Sequence, residues 1–239
     1  MSATSALQMS QWCLRLFQVQ TSIIHRDRLP ADTSAIAVSN HRSFLDAPLM
    51  MVAMNRPIRF ACHHYMGQVP LMRDLVTAWG CFPLESVQMR QQQFFQQASQ
   101  FLQSRQVVGI FPEGAAPMVQ YRSQRQVGSF QRGFAHLALR SPTPELAVVP
   151  IAIISEDEIV QSPIPVKLLS WFDPSEPLFQ QDAWHPVVLY RQVTVAIGRP
   201  FWITAPRREA YQGKQAKEMV KEVSQYCYQE VTDLLRAGF

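Results

Sequence analysis

Apolar residues in this chain fall into short runs, separated by stretches in which they recur at helical spacing. Strand-type runs occur at 34–39 (SAIAVS), 57–62, 107–111 (VVGIF), 146–154 (LAVVPIAII), 164–172 and 187–197. Helical spacing fits 44–54, 68–79, 88–105, 130–140 and 208–236. The Gln-rich segment 88–106 keeps Phe94, Ala98, Phe101 and Leu102 on one side, which predicts an amphipathic helix with a glutamine surface. The closing segment places Ala216, Met219, Val220, Val223, Cys227, Val231 and Leu234 at similar intervals, as in a long terminal helix. Strands alternating with helices predict a single α/β domain, its sheet mixed but mostly parallel and flanked by helices. Such sheets keep their chemistry where strands end and loops lead into helices. The proline-bearing stretch 173–186 reads as a surface loop, and no internal repeat or linker interrupts the pattern.

The first 25 residues form a segment apart, followed by a domain over 26–239. Residues 5–20 carry Leu7, Trp12, Leu14, Leu16, Phe17 and Val19, with Arg15 as the one charge. Two readings of this short amphipathic helix stand equal: lying in a membrane interface, where indole rings sit well at headgroup level, or packing on its own domain. No run of 18 apolar residues occurs, so no helix is predicted to span a bilayer. The N-terminus also lacks the pattern of a signal peptide. Membrane contact, if made, is expected to be peripheral and on the cytoplasmic side.

Composition narrows the partners. The chain has 239 residues, 47% hydrophobic and 17% charged, with a net charge of +4. Lys occurs only at 167, 214, 217 and 221, the rest of the positive charge being Arg. Guanidinium groups suit phosphate and carboxylate ligands, although a GC-rich genome produces the same bias. No basic run or basic-aromatic stripe marks a nucleic-acid surface. Cys13, Cys62, Cys81 and Cys227 lie far apart with no metal-finger spacing, which fits free thiols in a reducing compartment.

The candidate chemistry begins where the first motif strand ends, at Ser39-Asn40-His41-Arg42-Ser43-Phe44-Leu45-Asp46. The histidine sits at a strand end and the aspartate near the start of the next helix, which Ser43 is placed to cap. A carboxylate there can accept the imidazole Nδ1–H and leave Nε2 free as a base. The same pair serves equally well as a hydrogen bond that pins a turn. A second strand, Val107-Val108-Gly109-Ile110-Phe111, runs into Pro112-Glu113-Gly114 and brings a carboxylate to a similar strand end.

Together these segments resemble the glycerolipid acyltransferases, the family of the lysophosphatidic acid acyltransferases. The likeness rests on N-H-x-x-x-x-D and F-P-E-G about seventy residues apart, and extends over roughly 34–200. Between them, Arg59-Phe60-Ala61, Val69-Pro70-Leu71 and Gly80-Cys81-Phe82-Pro83-Leu84 are similar to the family's second block. Phe130-Gln131-Arg132-Gly133-Phe134-Ala135 and Val148-Val149-Pro150-Ile151 are similar to its later blocks. The resemblance implies a glycerolipid acyltransferase-like fold over 26–239 and acyl transfer from acyl-carrier protein or acyl-CoA to a lipid hydroxyl. His41 and Asp46 would be catalytic; Ser43, Glu113 and Gly114 would bind substrate. No metal and no cofactor is implied, since the acyl thioester is itself a substrate. The partners implied are the thioester carrier, the lipid acceptor and a membrane surface.

Departures from the family pattern bear on the acceptor. Ser86 and Ala116 stand where the family usually has arginine, and His63-His64 where it commonly has lysine. Arg90, one helical turn beyond Ser86, and Arg132 are the candidate replacements; Arg122 and Arg125 lie nearby. Their loss elsewhere leaves open a lysolipid or a lipid alcohol without a phosphate monoester as acceptor. A non-catalytic lipid-binding relative and a hydrolase that admits water are the other readings. No Gly-x-Ser-x-Gly elbow is present. Cys62 and Cys81 read as core thiols, and the paired His63-His64 as a poor metal site, since adjacent side chains on an extended segment diverge.

Overall fold

The computed structural model describes residues 3–62, 72–83, 87–114, 116–118, 123–171 and 180–238. Its centre is a sheet with the order β1-β7-β6-β2-β5-β3-β4, with β8 also paired to β6. The strands are β1 (Gln20–Ile24), β2 (Ser34–Ser39), β3 (Ile58–Cys62), β4 (Phe82–Pro83), β5 (Val107–Ile110), β6 (Leu146–Pro165), β7 (Trp184–Ile197) and β8 (Phe201–Ile203). From β6 through β4 neighbouring strands are parallel; β7 and β8 run antiparallel to β6, and β1 lies parallel to β7 at the edge.

The helices cover both faces: α1 (Ala3–Leu16) and α2 (Asp46–Met54) on one, α4 (Val87–Gln103), α5 (Gly133–Arg140) and α7 (Ala216–Ala237) on the other. Alternation along β2 shows the division. Ala35 and Ala37 enter the core beneath α1 and α2, whereas Ile36 and Val38 enter the core on the opposite face. The small side chains on the first face let α2 lie close to the sheet. That helix is apolar almost all round, with Leu49, Met50, Met51 and Ala53 wholly buried, as expected when sheet and α1 enclose it. It stops at Asn55, whose left-handed φ of 51° returns its N–H to Met51 and Val52.

The predicted fold class agrees with this architecture, and several element boundaries move. The expected strand 164–172 divides: β6 runs on to Pro165, and 166–171 form a 3-10 turn. The expected helix 208–236 breaks at the extended Gly213 into α6 (Ala205–Gln212) and α7. Strand β1 went unpredicted because its polar Gln20, Thr21 and Ser22 hide the periodicity on a sheet edge. It pairs with β7 over Gln20–Ile24, so the boundary expected after residue 25 falls inside the domain. Helix α3 (Met72–Ala78) occupies part of the expected 68–79; 68–71 lie outside the described residues, and Trp79 falls in the turn after the helix. The expected loop 173–186 is described only from residue 180, and β7 already begins at Trp184.

The four cysteines are free. Burial pushes the thiol of Cys62 up to about 11 and that of Cys81 up to about 12, and raises Cys13 and Cys227 as well. Since the thiolate is the reactive form, these groups stay inert until alkaline pH. Native protein mixed with a disulfide reagent at pH 8 is therefore expected to show almost no thiol release over minutes. Denatured protein should show all four at once; rapid release from the native protein would contradict the buried placement.

Candidate active site

At the carboxyl end of β2 the chain leaves the sheet through Asn40, which is buried. Its side-chain amide donates to the Ile153 carbonyl at 2.9 Å and accepts from the Ile153 N–H at 2.9 Å. It thus continues the β2–β6 ladder one step past Ser39↔Ile151 with a side chain in place of a peptide. The backbone is thereby free to turn, and it turns into His41, Arg42 and Ser43.

Asp46, the first residue of α2, is completely buried and organises that turn. Its Oδ2 accepts from His41 Nδ1 at 2.8 Å, Arg42 N–H at 2.7 Å and Ser43 N–H at 2.8 Å. Its Oδ1 accepts from the Tyr190 hydroxyl at 2.8 Å. With its oxygens accepting from two backbone N–H groups and a phenol, the carboxylate is placed as an acceptor for the imidazole, which orients the ring with Nδ1 toward Asp46. His41 is partly exposed, and among the described residues nothing hydrogen-bonds its Nε2.

Ser43 takes a different place from the one expected of it. The N-cap of α2 is Leu45, with no side-chain cap. The Ser43 hydroxyl is buried, donates to the Val188 carbonyl at 2.6 Å and accepts from the Leu45 N–H at 3.2 Å. Its proton and one of its two acceptor positions are taken up inside the protein, the proton by a carbonyl of β7. The residue therefore spends its proton inside the protein and is not the N-cap of α2.

The second strand end arrives beside the first, since β2 and β5 are parallel neighbours. The His41 ring stacks on Phe111 with centroids 4.1 Å apart and planes 16° apart. Phe60 stacks on the Phe111 ring in turn, at 5.3 Å and 8°. Gly109 makes room for this column: a Cβ there would come within 2.1 Å of the Phe60 ring and 2.7 Å of Ile58. Glu113 is buried, and its Oε1 accepts from the His41 N–H at 3.1 Å while Oε2 accepts from the Gly128 N–H at 2.6 Å. Its carboxylate thus braces the backbone of the histidine. Gly114 adopts a left-handed φ of 64°, a conformation that other residues rarely take, with the end of the Gln131 side chain packed beside it.

Arg132 is exposed at the N-cap of α5. Arg90 lies within α4, its side chain outside the described residues, as are Ser86, His63, His64 and Arg122. Arg42 is buried in a bidentate pair with Glu158, both contacts 2.7 Å. Among the described residues no three His, Cys, Asp or Glu converge as a metal site. Sequence reasoning passed over Asn40, Phe60, Glu158 and Tyr190, and gave Phe111 no role. Phe111 was within reach, standing in the quoted motif next to a strand end. Glu158 and Tyr190 were not, being more than a hundred residues from the loop they hold.

Gly109→Ala is expected to lower stability by about 1–3 kcal/mol through overpacking against Phe60. Chemical denaturation of both proteins measures this, and an unchanged midpoint would show that the aromatic column is not tightly packed.

The family model described as Acyltransferase matches residues 21–154, which contain both strand-end motifs. The 1-acyl-sn-glycerol-3-phosphate acyltransferase LPAT1, chloroplastic, of Arabidopsis thaliana is 27% identical over 136 residues, or 56% of this chain. That stretch spans 36% of the plant protein's length. Among solved structures, the 1-acyl-sn-glycerophosphate acyltransferase PlsC of Thermotoga maritima superposes with a TM-score of 0.61. The superposition covers 98% of this chain and 78% of that one at 15% identity, and shows a shared fold. With the family model spanning more than half of its length, the chain belongs to the Acyltransferase family, the glycerolipid acyltransferases.

Proposed function

We propose that this acyltransferase moves a fatty acyl group from an acyl thioester, carried by acyl-carrier protein or CoA, to a lipid hydroxyl. The observation that carries this reading is the 2.8 Å hydrogen bond from His41 Nδ1 to the wholly buried Asp46. With Nδ1 committed to Asp46, Nε2 is the ring nitrogen left to act as the base. It takes the acceptor's hydroxyl proton as that oxygen attacks the thioester carbonyl. The tetrahedral intermediate collapses, the carbon–sulfur bond breaks, and the leaving thiolate takes the proton back from the imidazolium. Ester and thiol are the products, no acyl-enzyme forms, and the mechanism calls for no metal or cofactor. Asp46 stays ionised throughout and stabilises the transient imidazolium. Glu113 and Gly114 support the site from behind by fixing the His41 backbone and the turn beneath it.

A lysophospholipid such as 1-acylglycerol-3-phosphate is the acceptor named for both relatives and the first candidate here. Arg132 and Arg90 are the groups proposed to meet its phosphate. The acceptor is proposed to reach the site from a membrane surface on the cytoplasmic side. Among the described residues no helix is long and apolar enough to cross a membrane. Helix α1 buries Ala6, Ser10, Cys13 and Leu14 against α2 and exposes Trp12 (65%) and Leu16 (61%). Phe17 and Phe44, 5.5 Å apart, join that exposed edge to the catalytic loop, since Phe44 lies three residues past His41. Such an aromatic edge suits the headgroup region of a bilayer and sets the base beside it.

His41→Ala is expected to lower acylation of a lysolipid panel by roughly a hundred- to ten-thousandfold, with products read by mass spectrometry. Residual activity equal to wild type would remove the histidine from the reaction. Trp12→Glu combined with Leu16→Glu should reduce binding to anionic vesicles by roughly tenfold or more, by deleting the apolar side of the contact. Undiminished sedimentation with vesicles would place the membrane contact elsewhere.

A further inference from the structure

We propose that Tyr190, on β7, is a positioning residue for the reaction: its hydroxyl sets the charge and orientation of Asp46 and, through it, of His41. The inference rests on the acyl-transfer reading and extends it to a strand outside the span matched by the family model, which ends at residue 154.

The geometry begins with an irregular sheet. In the regular part of the β6–β7 pair, odd-numbered residues face the α1/α2 side: Ile151 and Ile153 on β6, Val193, Val195 and Ile197 on β7. Register shifts then fall between Ser155 and Asp157 and between Asp157 and Glu158. Each shift leaves one extra residue on one strand, Glu156 on β6 and Arg191 on β7. Because side chains alternate, one extra residue reverses which face every later position occupies. Tyr190 and Val188, even-numbered, consequently lie in the same core as Val193. Glu158, directly opposite Tyr190 in register, turns to that face too.

The consequence is that β6 and β7 present groups to successive residues of the catalytic loop. Glu158 holds Arg42 in a bidentate pair, the Val188 carbonyl takes the Ser43 hydroxyl, and the Tyr190 hydroxyl reaches Asp46 Oδ1 at 2.8 Å. Of these, the tyrosine alone touches the carboxylate that acts on His41. Its ring is fully buried, and burial together with the neighbouring Asp46 raises its phenol well above the ordinary tyrosine range, so it remains a proton donor. The charged and titratable groups around the carboxylate are His41 and Arg42 on the loop, Glu158 on β6, Tyr190 on β7, and Glu113 after β5, which holds the His41 backbone. Within this set Tyr190 is the donor to Oδ1, while the loop's own groups all converge on Oδ2.

Deleting that donor leaves Oδ1 unheld, so Asp46 can turn and misorient the imidazole, and it concentrates the carboxylate's negative charge beside the imidazolium. Tyr190→Phe is therefore expected to lower kcat roughly tenfold or more with KM nearly unchanged. The acid limb of kcat/KM should move to higher pH by roughly one unit. Tyr226→Phe, which removes a hydroxyl bonded to Arg199 far from the loop, should move neither. Site-specific 3-fluorotyrosine at 190, isosteric and a stronger donor, should move the acid limb to lower pH, and it decides the matter if Tyr190→Phe does not fold. A wild-type kcat and acid limb in folded Tyr190→Phe, or an unmoved limb in the fluorinated protein, overturns the proposal. If the wild type itself transfers no acyl group, the acyl-transfer reading fails separately. The downfield His41 Nδ1 proton resonance then decides: a changed shift in either variant supports the positioning role, and an unchanged one overturns it.

Discussion

The arrangement depends on one buried negative charge. Asp46 has no contact with solvent, and a carboxylate moved unpaired into a protein interior costs far more than a fold can offset. It is stable there because His41, Arg42, Ser43 and Tyr190 all donate to it. The loop between β2 and α2 has to take the one shape that delivers those donors. The same hydrogen bonds that make the charge tolerable thus determine the tautomer and direction of the imidazole. Stability of the turn and readiness of the base have a single cause.

Around this charge each neighbouring element restrains the loop. Asn40 docks the start of the turn on β6 with a side-chain amide, Glu113 takes the histidine's own N–H, and the Phe111–Phe60 pair closes one face of the ring. The parallel order of β3, β5, β2 and β6 makes this possible, because all of these strands deliver their carboxyl ends to one edge. Exposed Phe17, just past α1, packs edge-on against Phe44 of the catalytic loop.

Much of this was legible in the chain. The strand runs at 34–39 and 107–111 lie where β2 and β5 form, and Asp46 meets the His41 imidazole as its place after the strand end allowed; that Glu113 holds the histidine's own N–H was not foreseen. What the sequence concealed has identifiable physical reasons. Ser43 sits where a helix cap belongs, yet a carbonyl from β7 claims its hydroxyl. Strand β1 is an edge strand whose polar side chains break the alternation, so its pattern resembles a loop. Tyr190 lies in the expected strand 187–197, where unbroken alternation would turn its even position away from the site, and Glu158 lies beyond the end of the expected strand 146–154. Only the paired irregularities around Glu156 and Arg191 turn them back, and a shift in register leaves no mark in local composition.

The central claim, direct transfer from thioester to lipid with His41 as the base, is tested by one quenched single-turnover experiment. Protein in excess is mixed with an isotopically labelled acyl thioester and a lysolipid, then quenched over time, and both protein and lipid masses are recorded. The account predicts that label passes into the lipid ester while the protein mass stays unaltered at every time. An acylated protein that forms and decays, or label released as free fatty acid with no ester, would contradict it.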